Sequence, residues 1–355
     1  LENIGVVSLT PEEKKKGLAS LKNSLKKKWG DGVIIDHEKM NIEFVSTGSP
    51  LLDAGIGGGI PRGRFIEIYG DESSGKTTTT QIAMAEFQKK FPDQLVGFID
   101  VEHAINIQYA NSLGLDTSSD KFILSQPGSA EEALEILLQF CESGLFSVIA
   151  FDSIGGLMTQ SQLEKGIDEE TMGALARVMS KCASRIHTAA NDTNTTVIWI
   201  NQTRNKIVMM GNPETVSGGK TLPFFHSVRI KVRKTGPVVV KEVAIGQEVE
   251  YKIIKNKVGV PFGVINTSLF FNVGFDAIRE TIDVAYKVGT IYSSGAWAYV
   301  HKGTENEVRW NGKAACIQWY RDNPVEYAEL HARTFAAVEI PKDIVIEPED
   351  EDGQV

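Results

Sequence analysis

The chain reads as an α/β protein built on a central, mostly parallel, twisted sheet. Three observations predict this. Gly70-Asp71-Glu72-Ser73-Ser74-Gly75-Lys76-Thr77 matches the phosphate-binding pattern G-x-x-x-x-G-K-[ST] in full. Short apolar runs alternate with helical patterns downstream of it. Two of those runs end on an aspartate, Asp100 and Asp152, and in open α/β sheets ligands bind at the carboxyl ends of strands.

The phosphate motif has its expected context. Phe65 to Tyr69 reads as a buried strand, and Thr78 to Lys90 as a helix with Ile82, Met84, Ala85 and Phe87 apolar. A strand, a glycine loop and a helix start place backbone N–H groups and the positive end of a helix dipole around one anion. Lys76 reaches the outer phosphates and the Thr77 hydroxyl holds Mg²⁺. A chance glycine-rich turn is the alternative, and the flanking elements disfavour it. The expectation is a nucleoside triphosphate site.

The other elements follow in order. Residues 1–35 read as a helical arm, with Leu18, Leu21, Leu25 and Trp29 at helical spacing inside a lysine-rich stretch. Phe44 to Leu52 leads through the glycine-rich 55–61 into the first core strand. Val96–Ile99, Lys121–Ser125, Val148–Phe151 and Val197–Ile200 read as strands. Ala104–Leu113, Ser129–Cys141 and Met172–Ala190 read as helices, the second opening on a capping box of Ser129 and Glu132. Strands near 224–232, 238–244, 248–258 and 264–271 extend the sheet as antiparallel pairs. Helices near 276–288 and 312–321 fit a small C-terminal domain.

At 355 residues the length fits about two domains. The hydrophobic share of 42% supports a real core. No apolar run approaches the ~18 residues of a membrane span, and no secretory signal is visible, so a cytoplasmic site is expected. The three cysteines, Cys141, Cys182 and Cys316, fit neither a disulfide framework nor a zinc site. His103 and the other histidines show no metal-ligand spacing. A net charge of −9 argues weakly against nucleic acid, but it is unevenly placed. Seven lysines from Lys14 to Lys28 have no acid among them, and acids crowd the last nine residues. These are either a docking arm and an acidic tail or a solvated helix face and a loose terminus.

Three strand ends carry candidate chemistry. Glu102, just past Asp100, is a candidate general base for the water that attacks the γ-phosphate, or else a surface loop acid. Asp152 has the form of the Mg²⁺-supporting carboxylate of nucleotide hydrolases. Asn201-Gln202 can sense the γ-phosphate, or cap a turn. Long loops leave the last two, at 153–171 and 203–221. The second holds Arg204, Lys206 and Lys220 with Met209 and Met210, cations and apolar wedges that suit single-stranded nucleic acid. A mobile lid would leave those cations unexplained. Lys255 and Lys257 share a strand face. Alone they read first as an edge strand kept soluble, and second as cations inserted into a neighbouring subunit's triphosphate.

These pieces in this order resemble the bacterial RecA recombinases. The matching strings include Ser46-Thr47-Gly48-Ser49, Glu67-Ile68-Tyr69-Gly70, Glu72 to Thr78, Asp100 with Glu102-His103-Ala104, Met172-Gly173, Asn201-Gln202, Gly211 to Thr215, Gly218-Gly219, Ser227-Val228-Arg229, Lys255-Asn256-Lys257, Gly295-Ala296-Trp297 and Asp322-Asn323-Pro324. The likeness spans roughly residues 15–352. It implies a RecA-type P-loop ATPase core over 36–273, an N-terminal helical arm over 1–35 for oligomerisation, a small α/β C-terminal domain over 274–340 and an acidic tail over 341–355. It implies a DNA-stimulated ATPase with ATP and Mg²⁺, forming a head-to-tail helical filament on single-stranded DNA and exchanging strands with double-stranded DNA in repair.

By the same resemblance, Gly70 to Thr78 hold the phosphates, Thr77 and Asp152 the metal, and Glu102 is the base. Tyr109 stacks on the adenine beside Asn106 and Phe271. Gln202 couples the γ-phosphate to the second loop, and Lys255 and Lys257 act in trans. Met172, Gly173, Arg177 and Ser180 meet DNA from the first loop, and Arg204, Lys206, Gly218, Gly219 and Lys220 from the second. The chain departs from the family pattern at Asn106 (usually an acid), Phe271 (a tyrosine), Pro223 (a lysine) and Ser184 (an arginine, with Arg185 following). Its second loop is one residue shorter. A ring helicase sharing this ATPase core, and an ATP-gated mediator that does not exchange strands, are the competing readings. A phosphotransferase is disfavoured, because no acceptor pocket or arginine-bearing lid is visible.

Overall fold

The computed structural model describes residues 10–30, 33–34, 42–164, 173–205, 214–219, 221–301 and 303–337. Met172, Lys206, Lys220 and the acidic tail fall outside these, and of Arg204 only the backbone is described. The chain divides into two units, Leu1–Glu43 and Phe44–Val355.

The first unit contributes helix α1 (Pro11–Trp29). Thr10 and Glu13 cap it reciprocally and Pro11 opens it. None of its residues is buried, and Leu18, Leu21 and Trp29 stand exposed.

In the second unit β1 (Phe44–Val45) and β2 (Ile60–Pro61) pair on either side of α2 (Pro50–Ile56). The chain then alternates through β3 (Phe65–Gly70), α3 (Lys76–Lys90), β4 (Leu95–Asp100), α4 (Ile107–Ser112), β5 (Phe122–Ser125), α5 (Ala130–Ser143) and β6 (Phe146–Asp152). A 3₁₀ turn (Ile154–Gly156), α6 (Gln160–Glu164), α7 (Ala174–Asp192), β7 (Thr196–Asn205), β8 (Glu214–Val216) and α8 (Leu222–Phe225) follow. Next come β9 (His226–Val240), β10 (Val243–Asn256), β11 (Val264–Phe270) and β12 (Gly274–Phe275). The chain closes with α9 (Ala277–Val288), β13 (Tyr292–Ser294), β14 (Trp297–Val300), β15 (Val308–Asn311), α10 (Gly312–Asp322) and α11 (Pro324–Ala336).

The central sheet runs β12-β11-β10-β9-β3-β7-β6-β4-β5, with β8 paired to the far end of β7. From β9 to β5 every ladder is parallel. The carboxyl ends of β3, β4, β6 and β7 therefore lie along one edge, where a ligand is expected. Alternate residues of β3 enter different cores. Ile66 and Ile68 join Ile82, Met84 and Phe87 of α3, while Phe65 joins Leu137 of α5 and Ile186 of α7. Leu134, Leu137, Leu138 and Cys141 recur at helical spacing and bury one stripe of α5.

Several expectations need correction. The four strands expected between 224 and 271 are three, because β9 and β10 form one long hairpin. Residues 238–244 hold its turn, at Lys241 and Glu242, rather than a strand of their own. The first of the three, β9, joins the sheet in parallel with β3. Lys257 lies just past β10, so only Lys255 of the pair is in a strand. The helix expected from Ala104 starts at Ile107, because the Asn106 side chain accepts the Tyr109 N–H as an N-cap. The capping box of α5 is half made: Ser129 accepts the Glu132 N–H, but Glu132 accepts from the Gly128 N–H instead. The first long loop is partly built, as the 3₁₀ turn and α6.

The C-terminal segment has its own core of Ile282, Ala285, Val300, Trp310, Cys316, Tyr320 and Leu330, yet it belongs to the same compact unit. Gly274 and Phe275, expected in that domain, pair with β11 in the central sheet. Buried Glu280 of α9 accepts from Ser49 Oγ at 2.6 Å and from the Thr267 hydroxyl, which ties α9 to the core.

Candidate active site

The phosphate loop lies between β3 and α3. Gly75 caps α3 with φ 100°, a left-handed value that favours glycine. Lys76 is buried, and its Nζ donates to Asp71 O at 2.6 Å. Burial lowers the Lys76 pKa, against the carboxylates of Asp152, Glu102, Asp71 and Glu72, which raise it. Thr77 Oγ1 donates to Asp152 Oδ2 at 2.6 Å. The end of β6 and the start of α3 thus bring a hydroxyl and a carboxylate together. Such hard oxygen donors suit Mg²⁺, which takes few protein ligands and completes its shell with phosphate and water. Among the described residues no group of three or more His, Cys, Asp or Glu is placed to hold a metal. Burial pushes the Asp152 carboxyl up to about 6; the charges on Glu102 and Asp100 add to that, while the Thr77 hydroxyl and Lys76 oppose it.

Glu102 stands beyond β4 and accepts two hydrogen bonds on Oε1. One comes from the Ser153 hydroxyl and the other from Gln202 Nε2 at 2.9 Å. Buried Asp100 instead folds the loop after β4, accepting from the Ala104 and Ile105 N–H groups and from Gln126 Nε2. The three expected strand ends therefore meet. Ser153, which the sequence did not single out, joins them.

Gln202 sits where both loops root. Gly155 of the 3₁₀ turn faces its side chain, and Gly156 faces Glu102. On the other side Asn201 Oδ1 accepts the Gln202 N–H, and Asn201 Nδ2 donates to Ser217 O in the second loop and to Glu67 Oε1. Glu67 is fully buried in β3. Burial alone would raise its carboxyl, but contacts with His226 and Arg229 outweigh that and hold it at about 2. The visible signal was a lone acid inside an apolar run. Thr203, one residue past Gln202, donates to Asp71 of the phosphate loop.

The loop bases touch each other. A side chain on Gly218 would meet Ile154 at 3.0 Å, and one on Gly219 would meet Ala176 at 2.9 Å. The Ser180 and Thr221 hydroxyls are 2.8 Å apart. Gly173 caps α7, and Arg177 is exposed one turn in. The backbone of Arg204 pairs with Thr215.

Lys255 and Lys257 lie elsewhere. Both ammonium groups donate to Phe224 O, at 3.3 and 3.2 Å, and Lys255 also donates to Pro223 O at 2.7 Å. Lys255 stands opposite Arg229, itself opposite Glu67, three residues before Gly70. That register is about 10 Å down the sheet from the chain's own phosphate loop. Tyr109 packs partly on the core beside α3, and Phe271 is exposed two residues past Leu269, whose side chain crowds Gly75. Asn106 spends its side-chain oxygen on the cap of α4.

The model of the RecA N-terminal domain family matches residues 16–276. The chain belongs to the RecA family. Protein RecA of Mycoplasma mycoides subsp. mycoides SC is 40% identical over 311 residues, covering 86% of this chain and 88% of that protein. Protein RecA of Mannheimia haemolytica is 40% identical over 328 residues, covering 91% and 87%. That of Haemophilus ducreyi is 39% identical over 333 residues, covering 92% and 87%. At this likeness the chain is a RecA-type recombinase, an ATP-hydrolysing enzyme of recombination and repair. Among the described residues no helix is long and apolar enough to cross a membrane.

Proposed function

We propose that this chain assembles head to tail on single-stranded DNA, with ATP and Mg²⁺ held between protomers, and pairs that strand with double-stranded DNA. The observation that carries this reading is Gln202. Its amide contacts Glu102, where the attacking water belongs, and its strand leads directly into the second loop. Glu102 accepts the water's proton. Lys76 and the N–H groups of α3 bind the phosphates, with Thr77 and Asp152 as the magnesium donors. The metal neutralises charge on the transferring phosphoryl group when bound. Lys255 and Lys257 release the Phe224 carbonyl and turn to the neighbour's nucleotide. An open head-to-tail contact gives a filament rather than a ring. Asn106, Tyr109 and Phe271 flank the base, and exposed Arg177 with Ser180, Gly218 and Gly219 faces the DNA. Met172, Arg204, Lys206 and Lys220 are assigned to DNA by resemblance alone.

The test is fluorescence anisotropy of a labelled oligonucleotide. A non-cleavable ATP mimic should tighten binding roughly 5–150-fold over ADP, and Gln202→Ala should remove the difference. Micrographs of the same mixture should show filaments. Equal affinity with the mimic and with ADP would sink the reading, and closed rings would favour the helicase.

Asp152 adds a pH dependence. In the folded protein its carboxyl binds a proton at about 6, against roughly 3.9 in an unfolded chain. Acidification through that window therefore stabilises the unliganded fold. Magnesium needs the carboxylate, so binding magnesium-ADP should release roughly half a proton at about pH 6 and almost none at about pH 8. Calorimetry in buffers of different ionisation heat reads this release. Asp152→Asn should abolish it, and release unchanged in that variant would assign the proton elsewhere.

A further inference from the structure

Glu67 stands in a row of side chains that crosses the sheet, and the roles above leave it unassigned. On β3 it is in register with Arg229 of β9, and Arg229 is in register with Lys255 of β10. On its other side it is in register with Trp199 of β7. Asn201, two residues beyond Trp199, lies on the same face of β7. The row therefore runs from the strand that carries Gln202 to the strand that carries Lys255.

The two carboxylate oxygens of Glu67 serve opposite ends of this row. Oε1 accepts from Asn201 Nδ2 at 3.1 Å, and Oε2 accepts from Arg229 Nε. Asn201 is fully buried; its Nδ2 also donates to Ser217 O at 3.0 Å, and its Oδ1 accepts the Gln202 N–H at 3.0 Å. At the other end the Arg229 guanidinium lies 5.2 Å from the centre of the Tyr69 ring, beside Lys255. His226 Nδ1 stands 3.5 Å from Glu67 Oε2, but its ring makes no hydrogen bond among the described residues, which leaves Arg229 as the ion partner. Burial lowers the pKa of the Lys255 ammonium; the charges of Lys257 and Arg229 lower it further and that of Glu67 raises it. A buried carboxylate persists only while it stays hydrogen-bonded and paired, so the position of each end constrains the other.

From this geometry we infer that Glu67 is a positioning residue that acts on both sides of the subunit interface. Through Asn201 it sets Gln202 for the nucleotide of its own chain, and through Arg229 it sets Lys255 for the nucleotide of the neighbour. The inference rests on the functional reading above and joins its two ends. Glu67 spends its hydrogen bonds inside the fold, so its effect falls on turnover and on the response to the third phosphate rather than on ADP binding.

The experiment compares the full-length chain with Glu67→Gln and with the double variant Glu67→Gln, Arg229→Gln. The single variant leaves a guanidinium without its counter-charge and should melt lower. The double variant removes both charges and should melt near the parent. It should bind fluorescent N-methylanthraniloyl-ADP within about twofold of the parent. DNA-stimulated turnover should nonetheless fall roughly 10–100-fold, the worth of a hydrogen bond to a charged group. A non-cleavable ATP mimic should then tighten oligonucleotide binding over ADP by no more than about twofold. The double variant is next mixed with Lys76→Ala and, separately, with a Lys255→Ala, Lys257→Ala chain. Neither mixture should regain activity, because the first draws on its Gln202 and the second on its Lys255. Recovery in either would confine Glu67 to one side of the interface and overturn the inference. So would parental turnover in the double variant, or a loss of turnover that its melting or its ADP binding accounts for. A parent chain that binds DNA equally with the mimic and with ADP would instead bring down the functional reading itself.

Discussion

Glu102→Gln is expected to lower DNA-stimulated ATP turnover by about 10²–10⁴-fold, the usual worth of a positioned general base. The substitution keeps the shape of the side chain and an oxygen for the Ser153 hydroxyl and the Gln202 amide. It removes the group that takes the water's proton. ADP affinity should change less than about twofold, because Glu102 holds no phosphate in this assignment; its loss belongs to the transition state. Phosphate release at saturating DNA measures turnover, and a nucleotide titration measures binding. Turnover above a tenth of the parent's would exclude Glu102 as the base.

The second large effect separates work done within a chain from work done between chains. Lys255→Ala with Lys257→Ala should cost about 10³–10⁵ in turnover, the range of a finger cation. Nucleotide binding by the isolated chain should be untouched, since both amines rest on the Phe224 carbonyl away from its own phosphate loop. Mixing the double variant with Lys76→Ala is the decisive arm. Each is inactive alone, but a filament of both joins intact loops to intact lysines at roughly a quarter of its interfaces. Activity should reappear in the mixture. A mixture as inactive as its parts would show that the lysines do not act across the interface.

The meeting of the strand ends around the phosphate loop was legible because its signals are local. A glycine loop between a strand and a helix, and carboxylates just past apolar runs, survive reading in one dimension, and Thr77, Asp152, Glu102 and Gln202 do converge. What stayed hidden depends on long-range pairing. The hairpin of β9 and β10 holds register only through β3 on one side and β11 on the other, so from sequence alone its turn at Lys241 reads as strand. The sequence did not show that the Asn106 side-chain oxygen also caps α4. Helix α11 was missed although Pro324 marks its first turn, because its burial depends on partners far along the chain.

The abutment of Gly218 with Ile154, of Gly219 with Ala176 and of Ser180 with Thr221 has a mechanical result. Two segments packed together at their roots would move as one under the proposed function, so that release of either entails release of the other. If these are the DNA-binding loops proposed above, each subunit offers a strand one of two states, gripping or slack. Any gradation along a thread must come from how many subunits are in each.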